Sequence, residues 1–92
     1  MRIDKFLKVT RLIKRREVAK QMLILGYISL NDKIAKPSTE VKVGDCIKFN
    51  IPNKRELLIR VEEVTNSASI QKATELYKIE GEQDANETRK EK

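Results

Sequence analysis

The chain contains no histidine, no tryptophan and a single cysteine. Each absence removes a class of mechanism. Without imidazole the usual general base at neutral pH is missing, and a tetrahedral Cys/His zinc site lacks its ligands. The lone thiol, Cys46, closes no internal disulfide, so nothing points to a small secreted scaffold held by cross-links. Placed between Asp45 and Ile47, it reads as a small core or edge residue at the start of a strand. Aromatics are equally scarce. Phe6 and Phe49 are wanted by the core, which leaves Tyr27 and Tyr77, and Tyr27 too reads as structural. That is a poor supply of the stacking platforms on which single-stranded nucleic acid is bound. Long apolar runs are missing as well. The longest uncharged stretch, residues 21–31, falls far short of the ~20 residues that span a bilayer. The opening Met1-Arg2-Ile3-Asp4-Lys5 lacks the apolar segment of a signal peptide. The expectation is a cytoplasmic protein that does not bind membranes, needs neither cofactor nor metal, and is not an enzyme.

What is present is charge, and it is unevenly spread. The net charge is +6 over 92 residues, enough chain for one domain. Residues 1–36 hold ten Lys or Arg against three acids, whereas residues 61–92 hold five against eight. The positive field therefore belongs to the first third of the chain, and the end is acidic.

Periodicity places these charges on elements. Ile3, Phe6 and Leu7 recur at helical spacing and predict a short helix over residues 2–9, with Asp4 and Lys8 four apart and able to pair. Residues 10–14 read as a connector whose Leu12 and Ile13 turn inward. A second helix is predicted over 15–25, with Val18, Ala19, Met22 and Leu23 as its buried face and Arg16 and Lys20 on the other side. Gly26 stands where a left-handed cap wants glycine. The period then changes to two. Tyr27–Leu30 and Lys33–Ala35 read as a hairpin about Asn31-Asp32. Val41–Val43 leads into a Gly44-Asp45 turn, and strands follow at 47–51 and 57–61. Ile70, Ala73 and Tyr77 suggest a last helix capped by Asn66 or Ser67. The organisation expected is a unit over 1–64, a C-terminal helix over 65–80, and a disordered acidic tail over 81–92.

The chemistry concentrates in the two helices. Arg2, Lys5, Lys8, Arg11, Lys14, Arg15, Arg16 and Lys20 lie within nineteen residues, where Asp4 and Glu17 are the only acids. A solvated basic face explains any one of them, but eight with so little compensation suit phosphate. Arg forks bind two phosphate oxygens at once, and the mode expected is recognition of shaped, double-helical or junctional RNA through its backbone. Lys33 and Lys36 from the hairpin extend the same face. The contact residues expected are Arg2, Lys5, Arg11, Lys14, Arg15, Arg16 and Lys20.

Four segments resemble the S4 RNA-binding domain: Arg2-Ile3-Asp4, then Arg16 with Ala19, then Gly26-Tyr27-Ile28-Ser29-Leu30-Asn31, then Val41 with Gly44-Asp45. The likeness covers residues 1–51. Two positions depart from the pattern: Arg15 stands where the family has a capping serine, and Asp32 where it has glycine. The resemblance implies an α+β, S4-type (alpha-L-like) fold, with two N-terminal helices on a small, mostly antiparallel sheet. As a stand-alone domain the chain is further similar to small bacterial ribosome quality-control factors related to the fifteen-kilodalton heat-shock protein. That likeness implies a monomer that binds large-subunit rRNA and peptidyl-tRNA and supports an RqcH-like tailing factor, which adds C-terminal alanines to stalled chains. Two alternatives stand beside it: a heat-shock-type recycler of blocked large subunits, and a protein-interaction module whose basic face docks an acidic partner.

Overall fold

A computed structural model describes residues 1–83. Two helices, α1 (Ile3–Val9) and α2 (Arg16–Ile24), precede strands β1 (Ile28–Leu30), β2 (Lys33–Ile34), β3 (Cys46–Phe49) and β4 (Glu56–Val61). A one-turn helix α3 (Ile70–Ala73) and strand β5 (Tyr77–Gln83) complete the fold. The five strands form one antiparallel sheet in the order β2-β1-β3-β4-β5. This is the expected α+β arrangement of N-terminal helices and a small sheet, with a different C-terminal part.

Alternation sets which face is covered. Ile28 from β1, Ile47 and Phe49 from β3, and Ile59 and Val61 from β4 are buried with Ile3, Phe6 and Leu7 of α1 and Ala19 and Leu23 of α2. The intervening Ser29, Cys46, Lys48 and Arg60 take the opposite face, because successive strand residues point to opposite sides. The hairpin turn falls at Asn31 and Asp32, both left-handed with φ of 50° and 71°, the geometry of a two-residue turn that matches the strand twist. Asn31 also accepts from Cys46 N at 2.9 Å and donates to Asp45 Oδ1 at 3.1 Å. Asp45 Oδ2 accepts from Lys42 N at 2.8 Å, so the Gly44-Asp45 turn is tied to the hairpin tip.

Helix α2 ends as its sequence requires. Gly26 adopts φ +82°, its N–H donates to Leu23 O, and Tyr27 N–H donates to Met22 O. These are the two bonds of a Schellman cap.

Three expectations are corrected. The terminal helix over 65–80 is a single turn capped by Ser69, whose Oγ accepts from Lys72 N at 3.1 Å, and Asn66 and Ser67 do not cap it. Residues 77–83 are instead the fifth strand, since Tyr77, Ile79 and Gly81 find backbone partners in Val61, Ile59 and Leu58. The register shifts between Leu58 and Ile59, the extra residue is Glu80, and Arg60 binds both its carboxylate oxygens at 2.8 and 3.1 Å. The expected tail over 81–92 therefore begins inside a strand, and its residues 84–92 lie outside the described residues. Finally, Val18 is 40% exposed rather than buried, and Met22 is only partly covered.

Candidate nucleic-acid interface

The cationic segment is organised by the first turn of α1. That turn has no side-chain cap, yet its leading amides are not left open. Ile3 N–H donates to Thr39 O at 2.7 Å and Asp4 N–H to Pro37 O at 3.4 Å, so the loop after β2 supplies carbonyls where a helix start has orphan donors. Next to it, the Met1 ammonium lies 2.8 Å from Glu40 Oε1 and holds that carboxyl below its usual range. The chain start is thus pinned from two sides.

Asp4 is then driven inward. It stands three residues before Leu7, on the covered side of α1, and is fully buried. An ionised carboxylate without water costs several kcal/mol unless it is paired and hydrogen-bonded. Two arginines provide that. Arg2 Nη2 lies 3.2 Å from Asp4 Oδ2, and Arg16 Nη2 lies 3.2 Å from Asp4 Oδ1. One carboxylate therefore holds two guanidinium groups, one from the chain start and one from the first residue of α2. Both remain accessible, with 47% of the Arg2 side chain and 37% of the Arg16 side chain exposed. Arg16 Nε is buried and has no hydrogen-bond partner among the described residues.

This geometry overturns two expectations. Asp4 does not pair with Lys8; it faces the core side and is taken by the arginines. Arg16 does not project away from the buried face of α2. It shares a stripe with Ala19 and Leu23, at i, i+3 and i+7, and leans on α1 through Asp4.

The other expected cations divide into sets. Lys5 Nζ donates to Asn66 Oδ1 at 3.2 Å and Arg11 Nη2 to Ala68 O at 3.4 Å, so both are turned toward the segment before α3. Arg11 also has a left-handed backbone, φ 62°, where the chain leaves α1. Lys20 lies near Glu17 at 3.9 Å, a loose exposed pair of little energetic weight. Lys8, Lys14 and Arg15 are exposed and make no ion pair among the described residues. Of the hairpin lysines, Lys36 lines a groove of about 490 Å³ together with Arg2, Leu23, Ile24 and Ile34. Sequence reasoning missed the roles of Asp4, Asn66 and Ala68. For Asp4 the signal was its three-residue spacing to Leu7. The Asn66 and Ala68 contacts span 61 and 57 residues and leave no local trace.

Among the described residues no group of His, Cys, Asp and Glu is placed to hold a metal ion, and no helix is long and apolar enough to cross a membrane. What the surface offers is positive charge, part of it paired at Asp4 and part of it exposed, on two packed helices and the connector between them.

The S4 domain family matches residues 1–47. The RQC P-site tRNA stabilizing factor of Listeria innocua is 43% identical over 89 residues, 97% of this chain and 96% of that protein. The protein of the same name from Streptococcus pneumoniae is 44% identical over 79 residues, 86% of this chain and 89% of its own. Among solved structures, the trimeric Heat Shock Protein 15 of Vibrio cholerae superposes with a TM-score of 0.79 at 28% identity, covering 98% of this chain and 87% of that one. The chain belongs to the S4 domain family and, within it, to the group of the RQC P-site tRNA stabilizing factors.

Proposed function

We propose that this protein is an RNA-binding factor of ribosome-associated quality control, without enzymatic activity, that holds a P-site tRNA on the large ribosomal subunit. The observation that carries the reading is kinship over 97% of the chain with a P-site tRNA stabilizing factor. The surface agrees with the role. Arg2 and Arg16, held at Asp4, offer forks for phosphate oxygens, and Lys14 and Arg15 just before and at the start of α2 add exposed charge. Lys5, Arg11 and Lys20 flank them. In this reading rRNA and the peptidyl-tRNA are the ligands, and an RqcH-like factor that adds C-terminal alanines is the protein partner.

Two experiments test it. The protein should sediment with free large subunits, and log affinity should fall against log salt with a slope of about 0.7–0.9 per phosphate contact. Sedimentation with small subunits alone, or a flat salt response, overturns the reading. Deleting the gene should abolish alanine tails on stalled chains. Tails at normal levels would favour the recycler of blocked large subunits. Nuclease-resistant capture by an acidic protein would favour the interaction module.

A further inference from the structure

We propose that Asp4 is the positioning residue of the RNA-binding surface, a buried carboxylate that sets the orientation of Arg2 and Arg16 before RNA arrives. The proposal rests on the RNA-binding reading above and adds to it a residue that no RNA can touch, since Asp4 has no exposed surface.

Three observations carry it. Both oxygens of Asp4 are used, one by each arginine, so neither guanidinium turns without breaking its bond. The two arginines come from different elements, which makes the carboxylate the joint between the chain start and α2. Each arginine commits a single terminal nitrogen to Asp4, and each keeps a substantial part of its side chain in solvent. A guanidinium has five N–H donors in a rigid plane. Fixing one terminal nitrogen on a buried acid aims the exposed part of each guanidinium, and side-chain freedom that must otherwise be lost on binding is lost already on folding. Two free arginines this close would also repel each other, and the shared negative charge removes that cost.

The sign of one substitution separates positioning from charge. Asp4→Asn removes a negative charge from a basic protein, so long-range electrostatics alone would tighten RNA binding. Positioning requires the opposite. Asp4→Asn, verified as folded at the assay temperature, should bind purified bacterial large subunits carrying a P-site tRNA at least tenfold more weakly. The slope of log affinity against log salt should also be shallower, by about 0.7–0.9 for each phosphate that the variant no longer engages. A purely structural role is tested by Gly26→Ala, a strained cap at the opposite end of α2 from Arg16, which should lower the melting temperature and bind like the parent. Asp4→Glu keeps the charge but displaces the carboxylate by a methylene, so it should lose affinity too. In the unbound parent, nitrogen NMR should show restrained side-chain signals for Arg2 and Arg16 and averaged ones for exposed Arg15. The proposal is overturned if folded Asp4→Asn or Asp4→Glu binds as tightly as the parent, or if Gly26→Ala loses affinity in proportion to its melting temperature. It also falls, whatever the variants do, if Arg2 and Arg16 rotate as freely as Arg15 in the parent. A parent protein that fails to bind the subunits at all removes the RNA-binding reading itself, and that result is distinct from the others.

Discussion

Arg16 on α2 and Asp4 on α1, twelve residues apart, meet at 3.2 Å across the seam between the two helices. The contact makes Arg16 a structural residue as well as a proposed RNA contact. From the sequence, Arg16→Ala should leave the domain as stable as the parent, because the expected buried face of α2 puts the arginine on its outer side. Its actual position reverses that expectation.

Arg16→Ala should therefore both destabilise and weaken binding. It leaves the buried Asp4 carboxylate with Arg2 alone. Removing one partner of a buried pair costs roughly 3–5 kcal/mol when nothing compensates. With Arg2 still present and Arg16 partly solvated, a loss of about 1–2 kcal/mol is expected. For a domain of this size that lowers Tm by about 4–8 °C per kcal/mol. Subunit affinity should drop about tenfold or more at temperatures where the variant is folded, since charge-assisted hydrogen bonds are worth roughly 1.5–3 kcal/mol. Arg16→Lys should recover part of each loss. A thermal melt and a co-sedimentation titration on the same samples check both numbers.

Gly26→Ala should cost about 1–2 kcal/mol from backbone strain alone. At φ +82° an added Cβ meets no atom within 4 Å, so the effect is conformational and not a clash. Its Tm should fall while the denaturant m-value stays at the parental value.

Ending the chain at Leu76 should abolish cooperative unfolding. The cut removes β5, strips backbone partners from β4 along its whole length, and opens the edge beside Ile59 and Val61. Loss of the near-ultraviolet circular dichroism signal and of a sigmoidal melt is the expected outcome. A cooperative melt near the parental temperature would mean that four strands suffice.

Acid should loosen the two ends of the described chain first. The hydrogen bond from Arg60 holds the Glu80 carboxyl below its ordinary value of 4.5, and the Met1 ammonium does the same for Glu40. A carboxyl with a depressed pKa in the folded state contributes stability above about pH 4.5, and that contribution disappears as pH falls through the lowered value. Both groups are exposed, so the effect is small and screened by salt. Protection of the Lys78–Gly81 amides, measured relative to their intrinsic exchange rates at each pH, should fall below pH 4.5, and 1 M salt should flatten the dependence.

Local signals in the sequence were sufficient for both helices, the hairpin turn at Asn31-Asp32, the cap at Gly26 and strands β3 and β4. Each is written in a period or in a residue with special backbone freedom. The C-terminal part was not legible in the same way. Ile70, Ala73 and Tyr77 satisfy a helical stripe, but Tyr77, Ile79 and Gly81 satisfy a strand equally well, and pairing with β4 decided between them. Among the site residues, clustering located the cations but not their directions. Glu17 is a solvated acid and Asp4 a buried one, and composition treats the two alike. Only the wheel position of Asp4 beside Leu7 distinguishes them, and an acid there is read as surface until its partners are known.

The loop that caps α1 also fixes a sequence of events. During synthesis the arginine-rich helices leave the ribosome first, but the carbonyls that receive the Ile3 and Asp4 amides belong to Thr39 and Pro37. Strands β3 and β4, whose residues share the core with α1, follow later still. A short nascent chain therefore carries the same positive charge before the packed fold around Asp4 is complete. It is a loose polycation until enough chain has been released to close the sheet. Closing the sheet takes one folding time, about milliseconds for nonlocal contacts of this kind, and only then does a fully packed fold hold Arg2 and Arg16 at Asp4.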